Sequence, residues 1–99
     1  MPNDARRLPR NEVGFALCRM PTGKLATGPV SSGTPTRVDI AASCPPGGTL
    51  VGLFHTHPGG IAYPSAMDVR AAKKVRAPNL CILSDSQLGC YKVGRATRE

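Results

Sequence analysis

Short apolar segments broken by turns, a single convincing helical stretch, and the absence of any repeat predict a mixed α/β or α+β domain. Its β-sheet is expected to pack with few helices. Ninety-nine residues allow one modest core, not two.

In chain order, residues 1–11 read as a basic arm, because Pro2 and Pro9 discourage a helix. Val13 to Met20 is strand-like, PTGK at 21–24 turns the chain, and Leu25 to Val30 returns as the second arm of a hairpin. From Thr36 to Ala42, Val38 and Ile40 alternate with Arg37 and Asp39, the pattern of a half-buried strand. CPPGG at 44–48 is a loop. The apolar run Leu50 to Phe54 predicts a central strand buried on both faces. HTHPGGIAYP at 55–64 then predicts a loop with specific backbone demands. Ser65 to Ala77 is the predicted helix: Pro64 precedes it, Ser65 suits the N-cap, Asp68 follows three residues on, and Pro78 stops it. Asn79 to Ser84 is a buried strand, residues 85–87 a turn, and Leu88 to Val93 the last strand. The expected domain covers 12–94, followed by a polar tail at 95–99.

Lys and Arg exceed Asp and Glu by 13 to 6, for a net charge of +7, which favours acidic partners. The aromatics are Phe15, Phe54, Tyr63 and Tyr91, too few for a base-stacking nucleic-acid platform. No apolar run reaches the roughly 18 residues of a membrane span. The first residues hold no apolar signal-peptide core, so a soluble, cytoplasmic protein is expected. Cys18, Cys44, Cys81 and Cys90 form no CxxC, which excludes a zinc ribbon or a thioredoxin-like motif. Cys18, Cys81 and Cys90 lie in apolar stretches, where cysteine usually serves as a small buried hydrophobe. A bridge involving Cys44, Cys81 or Cys90 stays open, and spacing assigns none.

Both histidines of the chain lie in His55-Thr56-His57, directly after a buried strand. Two residues apart on extended backbone, their rings point the same way and are placed to share a metal. The plain alternative is a pair of surface histidines. On the helical wheel Met67, Ala71 and Val75 form an apolar arc, with Asp68 at its edge on the core side and Arg70, Lys73 and Lys74 opposite. A buried carboxylate must be paired or bind a metal. Ser65 and Asp68 also fit a helix-capping pair, and one carboxylate can do both jobs. Two histidines and one aspartate leave a fourth position open for water, the pattern of catalytic zinc. Such a site needs a proton acceptor. Of the two glutamates, Glu99 is the last residue and Glu12 opens the first strand, so Glu12 is the candidate base. The alternative for Glu12 is an ordinary solvated acid.

Glu12, then His55-Thr56-His57-Pro58, then Ser65-x-x-Asp68 resembles the signature of the JAMM (MPN+, JAB) metalloproteases, with every position filled. The following helix, NLCIL and GCYKV extend the likeness to a minimal prokaryotic, archaeal-type member. The resemblance implies a JAB/MPN-like, cytidine-deaminase-like fold and one Zn2+ per chain. It implies a peptidase or isopeptidase cleaving after the C-terminal Gly-Gly of ubiquitin-like or sulfur-carrier-like proteins. By the same resemblance His55, His57 and Asp68 ligate zinc with a water, Glu12 handles the water's proton, and Ser65 stabilises the oxyanion. Gly59, Gly60 and Tyr63 are expected to form a lid or groove wall for the substrate tail, the plain alternative being a connecting loop. Only 11 residues precede Glu12, where many members carry a helix, and there is no room for the insertions of larger eukaryotic members. The expected partner is a ubiquitin-like protein or its conjugates, without a membrane. Two other classes compete: a RadC-like nucleic-acid-associated module held by charge, and a non-catalytic MPN scaffold. A zinc deaminase is excluded, since it needs H-x-E with a later P-C-x-x-C.

Overall fold

The computed structural model describes residues 8–93. The elements are β1 (Val13–Arg19), β2 (Leu25–Thr27), β3 (Ser31–Ser32), β4 (Thr49–Thr56), α1 (Ala66–Lys74), β5 (Asn79–Leu83) and β6 (Leu88–Lys92). They form one mixed sheet in the order β2-β1-β4-β5-β6, with β3 also pairing with β1. Only β4 and β5 run parallel, so α1 lies in the crossover that parallel pairing requires. Among the described residues the sheet and one helix make the α+β domain that the sequence predicts. Among the described residues no helix is long and apolar enough to cross a membrane.

Alternation sorts each strand into two faces. Ala16 and Cys18 of β1, Leu53 of β4, and Leu80 and Ile82 of β5 point to one side and form the buried core with Ala72 and Ala77. The segment 38–44 covers the β1 end of this side, where Ile40, Ala42 and Cys44 pack against the core. Gly14 permits that close approach. A Cβ there would lie 2.6 Å from Ile40 Cδ1 and 2.8 Å from the Phe54 carbonyl oxygen.

Four expectations need correction. Thr36 to Ala42 is irregular, with Thr34 and Arg37 forming an isolated bridge. Its alternation reflects burial of Ile40 and not strand pairing. The return arm ends at Thr27, and the next pairing with β1 comes from Ser31–Ser32. β4 is longer than expected and includes His55 and Thr56, but it is not buried on both faces, because Phe54 is only half-buried. The helix ends at Lys74 and not Ala77. Arg76 takes the left-handed conformation (φ 61°), its N–H donates to the Lys73 carbonyl, and Ala77 N–H donates to the Ala72 carbonyl. Those two bonds are a Schellman closure, usually made with glycine at the turning position.

The cysteines pair as Cys18–Cys44 and Cys81–Cys90. Cys81 and Cys90 are direct cross-strand partners in β5 and β6. The expectation that Cys18, Cys81 and Cys90 are plain buried hydrophobes is therefore corrected. Disulfides persist in oxidising compartments or in intracellular proteins of hyperthermophiles. The bridges differ in the loop they close, with sequence separations of 26 and 9. Chain entropy gives about 3.5 kcal/mol for the first and about 2.6 kcal/mol for the second. Urea unfolding of Cys18→Ala/Cys44→Ala and of Cys81→Ala/Cys90→Ala is expected to show the larger loss in the first pair. The reverse order would show that local strand pairing outweighs loop closure.

Candidate metal centre

The centre sits where the sheet presents three chain segments at one end. β4 carries His55 in its last turn of pleat and His57 just beyond it, so both rings project on the same side. The Val13 N–H donates to Thr56 Oγ1 at 3.0 Å, and Gly14 pairs with His55 in the ladder. These contacts fix the start of β1 beside the histidines. Glu12 immediately precedes it, with its N–H donating to Thr34 O (2.8 Å) and its carbonyl accepting from Gly33 N–H (2.8 Å). Glu12 is 6% exposed. A carboxylate oxygen of Glu12 and ring nitrogens of His55 and His57 lie within 4.8 Å of one another.

Asp68 arrives from the first turn of α1. Its N–H donates to Ser65 Oγ (3.1 Å), and its Oδ2 accepts from the Ser65 N–H (2.8 Å), a complete capping box. The same carboxylate faces both rings: Oδ2 is 3.1 Å from His57 Nε2 and Oδ1 is 3.3 Å from His55 Nε2. Capping and metal-facing contacts are thus both present on Asp68. The helix turns differently from the wheel. Ala72 and Val69 face the core, whereas Met67 is 52% and Val75 36% exposed.

The donor chemistry tests whether a metal fits. His57 Nδ1 lies 2.9 Å from the Ile61 carbonyl oxygen, which can only accept. His57 therefore donates from Nδ1, and in the neutral ring Nε2 is a bare lone pair. That lone pair faces the Asp68 carboxylate at 3.1 Å and His55 Nε2 at 3.0 Å. Three acceptors this close repel one another unless a proton or a cation lies among them. Tetrahedral ligands of one zinc are separated by about 3.4 Å. The observed spacings are near that value, and a ring N–H held by a backbone carbonyl is the usual support for a metal-binding histidine. His55, His57 and Asp68 fit a divalent metal, with Glu12 alongside.

Burial pushes the Glu12 carboxyl above the ordinary glutamate range, His55 and His57 pull it back in part, and Asp68 adds to the rise. Asp68 goes the other way. Burial pushes it up, but hydrogen bonds with His55 and Ser65 and the charge of His55 outweigh burial and hold it well below the usual carboxylate range.

The loop after His57 is tied down. Gly59, at φ 71°, donates its N–H to Asp85 Oδ2 at 2.9 Å, and Gly60 N–H donates to His57 O at 3.0 Å. Tyr63 packs edge-to-face on Tyr91, whose hydroxyl donates to Ala62 O. Gly59, Gly60 and Tyr63 do not line the groove that opens from the centre. That groove, about 500 Å³, runs from His55 and Asp68 between α1 and residues 37–40. Leu53 and Leu80 form its floor, and Arg37, Arg70 and Lys74 stand among its walls. Ile61, Asp85 and this groove escaped the sequence reading. A backbone acceptor carries no side-chain signal, and the groove depends on where an irregular segment lies.

Ser65 closes the helix start. As Ser65→Ala removes the N-cap acceptor, about 1 kcal/mol of stability is expected to be lost. Thermal unfolding of the metal-free protein checks this, and an unchanged midpoint would mean that Asp68 alone holds the helix terminus.

A mixed sheet delivering His-x-His at the end of its central strand, with a helix-borne aspartate against both rings and a buried glutamate beside them, defines an α+β domain with a Glu/His/His cluster able to bind a metal. The family model describing prokaryotic homologs of the JAB domain matches residues 5–95. The chain belongs to that family. Comparisons with curated proteins and with solved structures found no match.

Proposed function

We propose that this chain is a zinc-dependent peptidase or isopeptidase acting on the Gly-Gly tail of ubiquitin-like or sulfur-carrier-like proteins. The observation that carries the reading is the convergence of two imidazole nitrogens and the Asp68 carboxylate within 3.0–3.3 Å, with Glu12 beside them. His55, His57 and Asp68 would hold the zinc. When bound, such an ion supplies Lewis acidity and lowers the pKa of water toward about 7.

The chain's own groups then divide the work. Glu12 takes a proton from the attacking water and returns it to the leaving amine. Burial raises its carboxyl above the ordinary glutamate range, which favours taking up a proton. Ser65 Oγ already accepts from the Asp68 N–H, which leaves its own O–H to donate to the developing oxyanion. Ile61 O holds the His57 ring in its donor tautomer. The groove has room for an extended tail, and Arg70 and Lys74 in its wall favour an acidic substrate, while Arg37 pairs with Asp39 at 3.7 Å.

The test pairs two measurements on wild type and His57→Ala: zinc per chain, then cleavage of ubiquitin-like proteins fused through Gly-Gly. About one zinc and cleavage after the second glycine are expected in wild type, and neither in the variant. Zinc-loaded wild type that leaves every fusion intact would overturn the peptidase reading. The net charge of +7 favours a second reading, a RadC-like nucleic-acid module. It predicts a salt-sensitive DNA shift that His57→Ala leaves unchanged.

A further inference from the structure

His57 must keep its ring proton on Nδ1 if Nε2 is to face a metal, and the acceptor that holds the proton there is the Ile61 carbonyl, 2.9 Å away. That carbonyl is poorly placed to act alone. Gly59, Gly60 and Ile61 are exposed, and Gly59 is left-handed. Two adjacent glycines give the segment a wide choice of backbone conformations to lose. A rival acceptor is also present, because the Asp68 carboxylate lies 3.1 Å from Nε2 and draws the proton to that side.

The β5–β6 hairpin supplies two ties, one on each side of Ile61. On the N-terminal side, Asp85 Oδ2 accepts from the Gly59 N–H at 2.9 Å. The hairpin turn aims that carboxylate. The buried Ser84 accepts at Oγ from the N–H groups of Ser86 (3.3 Å) and Gln87 (3.1 Å), and its own N–H donates to Gln87 O at 2.8 Å. The second oxygen of Asp85 accepts from the Leu8 N–H at 3.4 Å. On the C-terminal side, the Tyr91 hydroxyl donates to Ala62 O, and Tyr63 packs edge-to-face on the same ring. Gly89 leaves the space for this, since a Cβ there would run into both Ala62 O and the Tyr91 hydroxyl. The hairpin itself is firm: Tyr91 pairs with Leu80 in the ladder, and Cys81–Cys90 bridges the two strands. Among the described residues, neither Asp85 nor Tyr91 hydrogen-bonds to Glu12, His55, His57 or Asp68.

We propose that Asp85 and Tyr91 are positioning residues of the metal centre. By fixing the loop at Gly59 and Ala62 they hold the Ile61 carbonyl on His57 Nδ1 and keep the Nε2 lone pair for the metal. This rests on the reading of His57 as a ligand, and the test separates the two.

The full chain is compared with Asp85→Ala, Asp85→Asn and Tyr91→Phe. The first readout is the ring-nitrogen NMR spectrum of His57 in metal-free protein at about pH 8, above the ordinary imidazole range. Wild type is expected to show a protonated Nδ1 and a bare Nε2. Asp85→Ala and Tyr91→Phe are each expected to move proton population to Nε2. The second readout is zinc affinity by chelator competition, expected to fall about tenfold in each of those two variants. Asp85→Asn still offers an oxygen to the Gly59 N–H and is expected to match wild type in both readouts. A wild-type result from Asp85→Ala or Tyr91→Phe in either readout would remove that residue from the role. Asp85→Asn behaving as Asp85→Ala would assign the effect to charge and overturn the proposal for Asp85. If wild type takes up no zinc, the ligand reading of His57 fails and the proposal with it. If wild type takes up zinc and the variants match it, only the proposal fails.

Discussion

Glu12→Gln is expected to keep its zinc and to lose at least about a hundredfold in turnover, the lower end of what a positioned general base contributes. Glutamine matches glutamate in shape, so the buried position and the backbone bonds to Thr34 O and Gly33 N–H survive the change. What disappears is a group able to take a proton. In the wild type, burial raises the Glu12 carboxyl, and the base form exists only above that raised value. Burial and a bound zinc act on that carboxyl in opposite directions, and in Glu12→Gln the limb of kcat/KM that it sets disappears along with the rate. The measurement is kcat/KM on a Gly-Gly fusion across pH, with zinc content determined on the same samples. Wild-type rates in the variant would remove Glu12 from the chemistry. Loss of zinc would make Glu12 a ligand instead, which its position within 4.8 Å of both ring nitrogens allows.

The strands and the centre were legible to different depths for physical reasons. β1, β4, β5 and β6 showed themselves as apolar runs bounded by turn residues, and sheet pairing preserves that signal. The start of α1 was legible because capping is written in side chains, Ser65 and Asp68. Its end was not, because Arg76 occupies a left-handed position where glycine is the usual sign. The run 36–42 alternates, yet it pairs with no strand. Ile40 is buried by packing over Gly14, and periodicity cannot distinguish that burial from pairing. The apolar run of β4 likewise reads the same whether or not Phe54 is covered. The bridges Cys18–Cys44 and Cys81–Cys90 were unreadable because connectivity is a property of the folded chain. Within the centre, the close spacing of His55 and His57 and the capping spacing of Ser65 and Asp68 were visible in the sequence, whereas the helix phase was misread, because Val69 and Ala72 and not Met67 and Val75 face the core. The contact of His57 with the Ile61 carbonyl, which sets the ring tautomer, was not visible.

Asp68→Asn separates the two jobs that one carboxylate performs, and the expected result is a protein with an intact helix start and a failed metal centre. Asparagine still presents an oxygen to the Ser65 N–H, so the cap contact at 2.8 Å can persist. It carries no negative charge to set against the nitrogens at 3.1 and 3.3 Å. Changes to groups that only support metal ligands cost roughly 10–100-fold in affinity, so loss of a ligand is expected to cost at least about 100-fold. Competition against a zinc chelator measures this directly. The metal-free protein supplies a second readout. Hydrogen bonds with His55 and Ser65 outweigh burial and hold the folded Asp68 carboxyl below its unfolded value. A depressed folded value adds stability that is present above the unfolded value, about pH 3.9, and is lost as pH falls from there toward the folded one. Wild type is thus expected to lose urea resistance on acidification below about pH 4–5, and Asp68→Asn to lack that part of the loss. If the variant binds zinc as tightly as wild type, Asp68 is a helix cap alone and the third ligand must be sought in Glu12. If zinc binding fails while the acid profile stays that of wild type, neither the contacts with His55 and His57 nor the Ser65 cap stabilises the fold through the charge of the carboxylate.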